Sequence, residues 1–322
     1  MITLDSLAPL DTTQRPTPTD TPPMPLTTDD FLDIDDVTPA ELDALLDRAA
    51  AMKAGETDPR LGDATLGMIF EKPSTRTRVS FETGMTRLGG HAMFLGPDDI
   101  QLGHGEPLKD TARVLGRYVD GVMARLFDHA DVEVLAEYAD CPVINGLTDE
   151  AHPCQTLADL LTIRETVGED AAVAWVGDGN NVGQSFVVGA AMAGIDVSVA
   201  TPAGYGMDSA VFDRAAEFGA DVEPTTDPGA AIDGADVVYT DVWISMGQED
   251  QRHEKLAAFD GFQVNGDLLA GTDAKVMHCL PAHRGEEITD EVLESDRALV
   301  WDQAENRMHA QNALLVELLG GE

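Results

Sequence analysis

A chain of 322 residues is long enough for two α/β domains of ordinary size, and its 43% hydrophobic content supplies a sizeable core. The 59 acidic residues outnumber the 20 basic ones for a net charge of −39, which argues against a nucleic-acid surface; at molar salt the Debye length shrinks to about 3 Å and screens the self-repulsion, so a high-salt cytoplasm is the expected setting. No apolar run reaches the roughly 18 residues of a bilayer crossing, the nearest being Phe186 to Ile195, and Asp5, Asp11, Thr12 and Thr13 stand where an export signal would be basic, so a soluble, cytoplasmic protein without membrane contact is expected.

Residues 1–27 are rich in Thr, Pro and Asp, lack a hydrophobic period and read as a flexible extension. Order should begin near Phe31. Thr38, Pro39 and Glu41 form a capping-box start, and Leu42, Leu45, Leu46, Ala49 and Met52 then share one helical face, which Gly55 ends. Strands are expected at 64–70, 91–95, 121–126 and 142–147 with helices between them, the alternation of a parallel α/β unit. An amphipathic helix over 152–166 leads into a second series of strands at 171–177, 196–200, 236–240 and 274–277, and a last helix at 305–319 closes the chain. The expected fold class is α/β: two tandem parallel-sheet domains, 28–150 and 151–304, with the stretch 305–322 packing back on the first.

In open α/β sheets ligands bind beyond the carboxyl ends of the strands, so chemistry is sought in the segments that follow each strand. After Phe70 the chain reads Glu-Lys-Pro-Ser74-Thr75-Arg76-Thr77-Arg78, which brings hydroxyls, two guanidiniums and free backbone N–H groups to a helix N-terminus, an anion site that suits phosphate. Alone, such a cluster is more often a polar cap with solvated arginines. In a chain so poor in cations, two of them within three residues of a strand-to-helix turn point to a charged ligand. Arg125 follows the third strand. His152 and Gln155 sit three apart at a helix start and face the same way; with Arg76 and Arg125 they can hold a carbonyl oxygen that turns anionic in a tetrahedral intermediate.

The turn from Trp175 to Gly183 is glycine-rich, but its G-x-G-x-x-x-G spacing, and a following strand that runs into Thr201 without an acid, fit a dinucleotide poorly. It reads as a polar substrate contact. Asp241 and Ser245, four apart, together with the thiol of His278-Cys279-Leu280-Pro281, can hold an amino acid and its reacting amine. The cysteines show no paired spacing, so no structural metal is expected, and Cys141 and Cys154 read as ordinary buried thiols.

Ser-Thr-Arg-Thr-Arg, His-Pro-Cys-Gln, Asp-Val-Trp-Ile-Ser-Met-Gly and His-Cys-Leu-Pro together resemble the ornithine carbamoyltransferase family, from about residue 28 to the end. The resemblance implies transfer of the carbamoyl group of carbamoyl phosphate to ornithine, giving citrulline in arginine metabolism, in a cleft between the two domains and without metal or organic cofactor. It makes Ser74, Thr75, Arg76 and Thr77 the carbamoyl phosphate cradle, joined by Arg125, His152, Gln155 and Arg307, with Cys279 and Leu280 at the reacting centre. It assigns Asn181, Asp241, Ser245 and Met246 to ornithine, and Gln101 to the active site of a neighbouring subunit in a homotrimer or a multiple of trimers. Catalysis is expected from Arg76, Arg125, His152, Asp241 and Cys279. Competing acceptors are aspartate, disfavoured because the Asp-x-x-x-Ser-Met segment lacks cations for a dicarboxylate, and putrescine or an acylated ornithine. From other classes stand a nicotinamide-dependent dehydrogenase and a non-catalytic anion-binding module.

Overall fold

The computed structural model of the chain describes residues 26–97, 105–220, 222–247 and 249–320; Gln101 and the extension up to residue 25 lie outside the described residues. Thr27, assigned to the extension, donates its backbone N–H to Glu41 at 2.5 Å. Phe31 is fully buried and bridges Ile144, which anchors the chain to the first sheet. The first helix, α1 (Pro39–Ala54), starts on the expected capping box: the backbone N–H of Glu41 reaches the Thr38 hydroxyl and the Glu41 carboxylate takes the Thr38 N–H at 2.7 Å. A cap of this kind contributes about 1 kcal/mol. Gly55, at φ 72°, ends the helix in the left-handed conformation that glycine adopts without a Cβ penalty.

Strands and helices then alternate as β1 (Thr65–Phe70), α2 (Thr75–Arg87), β2 (His91–Leu95), α3 (Leu108–Leu115), β3 (Gly121–Arg125), α4 (His129–Tyr138) and β4 (Val143–Leu147). These strands form one parallel sheet in the order β2-β1-β3-β4. After α5 (Pro153–Thr166) come β5 (Ala172–Val176), α6 (Asn181–Met192), β6 (Asp196–Ala200), α7 (Ser209–Glu217), β7 (Val222–Thr225), α8 (Pro228–Ala231), β8 (Val237–Thr240), α9 (Arg252–Ala258), β9 (Lys275–His278), α10 (Asp290–Leu293) and α11 (Val300–Leu319). The second sheet is also parallel, ordered β7-β6-β5-β8-β9.

The period-2 alternation of the strands divides the core. Leu66, Met68 and Phe70 join one large cluster that runs through α1, α2, α5, α6 and α11 to Trp175, Tyr239 and Met277 of the second sheet, whereas Ile69, Val122 and Ala124 face α3 and α4. A third cluster covers the opposite face of the second sheet. At about 25 cal/mol per Å² of apolar surface buried, these clusters outweigh the exposed ion pairs, which contribute roughly 0–1 kcal/mol each.

Three differences from the sequence reading have physical causes. Strand β7 is absent from the expected series; its Pro224 supplies no ladder donor and is tolerated since β7 lies at the sheet edge, where one side needs none. Helix α5 is not amphipathic in place: Pro153 through Ile163 are all buried between the two halves, polar residues included. Helix α11 begins at Val300, a turn before the expected start, and packs against α1, α2 and α5.

Candidate active site

Each sheet reverses its winding once, and the reversal opens a crevice at the strand ends. In the first sheet this occurs between β1 and β3, whose ends deliver Ser74 and Arg125. In the second it occurs between β5 and β8, followed by the Gly177 turn and by Asp241. The crevices meet in a cavity of about 940 Å³ lined from both halves, by Ser74, Thr75, Arg76, Thr77, Arg125, His152, Gln155 and Arg307 on one side and Asn181, Asp241, Ser245, Met246, Cys279 and Leu280 on the other. Every site residue read from the sequence except Gln101 therefore lines one space.

The first side is built for an anion. Ser74 is the N-cap of α2 and its hydroxyl oxygen accepts from Thr77 N–H at 3.2 Å, which leaves the preceding orphan N–H groups of the first turn for a ligand. Arg307 comes from α11, 230 residues beyond Thr77, and donates to the Thr77 hydroxyl at 3.3 Å and to Oε1 of Gln155 at 2.7 Å. Burial above all, then Arg307 and with a smaller part Arg76, hold the guanidinium of buried Arg125 down to about 10, still charged at neutral pH. Arg48, Arg164, Arg214 and Arg284 all take carboxylates. Arg76, Arg125 and Arg307 take none among the described residues, although acids outnumber bases about threefold. Arg78, the other guanidinium of the motif, is committed elsewhere: it pairs with Glu82 at 2.9 Å and stacks over Phe94.

The second side is built for a cation and its proton. The thiol of Cys279 donates to Oδ1 of Asp241 at 3.0 Å, and Nδ2 of Asn180 donates to Oδ2 at 2.8 Å. Burial first, then the Asp241 charge, push the Cys279 thiol well above its ordinary range, so it is a protonated donor rather than a thiolate. His278 lies behind the pair, fully buried, its Nδ1 accepting from Leu280 N–H at 2.9 Å and its Nε2 facing Glu287 at 3.0 Å. Leu280 itself sits at φ 60°, a strained conformation for a non-glycine residue and one that clusters at functional sites.

The carbamoyl-P binding domain of the aspartate/ornithine carbamoyltransferases matches residues 29–165, and their Asp/Orn binding domain matches residues 169–318. The chain belongs to the aspartate/ornithine carbamoyltransferase family. Among its relatives in that family, the ornithine carbamoyltransferase of Haloquadratum walsbyi is 70% identical over 291 residues, 90% of this chain and 97% of that one. That of Methanoculleus marisnigri is 53% identical over 91% of this chain and 97% of its own. The solved ornithine carbamoyltransferase of Pyrococcus furiosus superposes with a TM-score of 0.85 at 52% identity, over 90% of this chain and 97% of that one.

In this carbamoyltransferase fold the glycine turn after β5 is explained without a dinucleotide. A Cβ on Gly183 would stand 2.6 Å from the Trp175 ring and one on Gly179 would stand 2.4 Å from the backbone of Met207, so both glycines serve close packing. Of the two asparagines that follow, Asn181 donates to the Thr148 carbonyl at 2.5 Å while Asn180, overlooked in the sequence, both caps α6 and holds Asp241. Lys255 was overlooked too; it lines the cavity in a buried pair with Asp178 at 2.6 Å. Asp241, His278 and Cys279 offer ligand atoms close enough for one metal ion, as do His283, Glu286 and Glu287. In the first group those atoms are already engaged in the hydrogen bonds given above.

Family position apart, His152 carries a measurable consequence. It is buried, and burial first, then Arg307, Arg125 and Arg76, hold its ring well below the ordinary histidine range. The folded protein therefore keeps a neutral ring while the unfolded chain protonates below about 6.5; stability from this group is complete above that pH and falls as pH drops, by up to roughly 1.4 kcal/mol per unit. Between about pH 7.5 and 5 the urea midpoint of His152→Gln is expected to fall less than that of the parent. Identical slopes would mean that His152 takes up its proton in the folded state.

Proposed function

We propose that the chain transfers the carbamoyl group of carbamoyl phosphate to the side-chain amine of L-ornithine, releasing L-citrulline and phosphate in arginine metabolism. The observation that carries this reading is the separation of charge across one cavity: three guanidiniums that take no carboxylate among the described residues face a carboxylate that holds a thiol. Arg76, Arg125 and Arg307, with Ser74, Thr75 and Thr77, take the phosphate. Neutral His152 and Arg125 hold the carbonyl oxygen as it becomes anionic, and Gln155 takes the amide end. Asp241 orients the ammonium and accepts its proton, with Cys279 and Leu280 against the reacting carbon and Asn181, Ser245 and Met246 around the α-amino acid end.

Aspartate is a poor acceptor for such a site, since Lys255 is tied to Asp178 and to the Trp243 carbonyl at 2.8 Å and an ammonium, not a second carboxylate, suits Asp241. Segment 28–150 is assigned the donor site and 151–304 the acceptor site, with 305–322 returning Arg307 to the donor side. A homotrimer, or a multiple of it, is supported by exposed apolar side chains on the first half, Val79, Met93 and Tyr118, and by the resemblance that lends Gln101 to a neighbouring site. A high-salt cytoplasm is supported by the net charge of −39 and by the three unpaired cysteines. The test is citrulline formation from carbamoyl phosphate with ornithine, putrescine, acetylornithine or aspartate, at low and at molar KCl. Turnover with ornithine, strongest at molar KCl, is expected; preference for another acceptor would overturn the assignment, and equal activity and stability at both salts would remove the high-salt setting.

A further inference from the structure

Gln155 on α5 has its amide held between two groups of fixed polarity. Its Nε2 donates to Oδ1 of Asp159, one turn along the helix, at 2.7 Å, and its Oε1 accepts from Nη1 of Arg307 at 2.7 Å. A guanidinium has no acceptor, so the end of the Gln155 amide against Arg307 is its oxygen and the NH₂ faces Asp159. Asp159 is fully buried and holds two more donors, Nε2 of Gln303 on Oδ1 at 2.7 Å and the Tyr239 hydroxyl on Oδ2 at 2.9 Å. Gln303 in turn accepts the backbone N–H of His278 at 2.9 Å, the residue before Cys279. One carboxylate thus fixes the amide on the donor side of the cleft and, through Gln303, the strand end that bears the thiol.

We propose that Asp159 is a positioning residue that sets the enzyme's selectivity for a carbamoyl over other acyl phosphates. With Nε2 of Gln155 turned to Asp159, the end of the amide shared with Arg307 is the oxygen, and a carbonyl oxygen with one lone pair on Arg307 has a second for a ligand N–H. A carbamoyl group supplies that N–H. An acetyl group presents a methyl there and strands the acceptor, which costs the full desolvation of a buried polar atom. Without Asp159 the NH₂ end of the amide has lost its acceptor and Arg307 alone holds the other end, so the oxygen is no longer fixed toward the ligand N–H. The inference rests on the carbamoyl-transfer reading and deepens it.

Titration calorimetry with carbamoyl phosphate, acetyl phosphate and inorganic phosphate separates selectivity from anion binding. The parent protein is expected to bind carbamoyl phosphate at least about tenfold more tightly than acetyl phosphate, and equal affinities would overturn the proposal. Asp159→Ala, or Asp159→Ser should the alanine variant not fold, is expected to erase at least about tenfold of that preference while binding inorganic phosphate within a few-fold of the parent. Asp159→Asn is expected to retain the preference, because its oxygen can still face both glutamines and its NH₂ can donate to the Tyr239 oxygen. An unchanged preference in the alanine or serine variant, or its loss in the asparagine variant, overturns the role of Asp159. Citrulline formation by the parent is measured in parallel: its absence condemns the functional reading, whereas its presence with unaltered selectivity condemns only this inference.

Discussion

Arg76→Ala is expected to lower kcat/KM for carbamoyl phosphate by about 10³-fold, equivalent to the roughly 4 kcal/mol lost when one partner of a buried, hydrogen-bonded charge pair is removed. The size follows from the company Arg76 keeps. It sits on the first turn of α2, where its guanidinium adds to orphan N–H groups that already favour an anion, and no carboxylate of the described residues competes for it. The ligand-free protein should respond in the opposite sense. Arg125 is depressed by burial, then by Arg307 and also by Arg76, so deleting Arg76 relieves repulsion and is expected to raise the melting temperature while abolishing most of the further rise that phosphate gives the parent. Arg78→Ala is the control two residues away, since Arg78 pairs with Glu82 and stacks over Phe94. Near-normal kcat/KM in Arg76→Ala, or an equal loss in Arg78→Ala, would refute the phosphate cradle.

What could be read from the sequence was whatever has a local period or a local motif. The capping box at Thr38, the strands of both sheets other than β7, and the clustering of polar segments at strand ends all depend on neighbours within a few positions. What could not be read depends on partners far along the chain. Lys255 sits on an ordinary helix and gains its meaning from distant partners such as Asp178, 77 residues earlier. Arg307 meets Gln155 across 152 residues, and only the motif resemblance pointed to it. Asp159 failed for a different reason: polar residues on a helical pattern read as a solvated face, yet α5 is covered on all sides from Pro153 to Ile163, so Asp159, Thr156 and Thr162 are buried. Burial also leaves a trace that sequence cannot carry, for it pushes the Asp159 carboxyl up to about 7 against three hydrogen-bond donors and the charge of Arg307. Asn180 was within reach of sequence reasoning, because an asparagine at the junction of a glycine turn and a helix is a strong N-cap signal.

Asp241→Asn is expected to lower kcat by about 10³-fold, inside the 10²–10⁴ range of general acid–base catalysis, with little change in KM for carbamoyl phosphate. An alkyl amine with a pKa near 10.4 reaches its neutral form at pH 7 only at a cost of about 4.6 kcal/mol, so a group that takes this proton beside the acceptor governs the rate. Asparagine keeps the shape of aspartate and removes its charge. It also misplaces a donor: Asp241 accepts from Cys279 on one oxygen and from Asn180 on the other, so an amide there must turn its NH₂ toward one of two existing donors. Raising the pH toward about 10 should recover the variant more than the parent, since solvent then supplies the free amine. Cys279→Ser should lose far less, because a serine hydroxyl also donates to Asp241, and Cys141→Ser should be neutral, its thiol being half-buried outside the cavity. A kcat for Asp241→Asn within a few-fold of the parent at neutral pH would mean that the proton leaves by another route, and the carboxylate–thiol pair would then serve only to hold the acceptor in place.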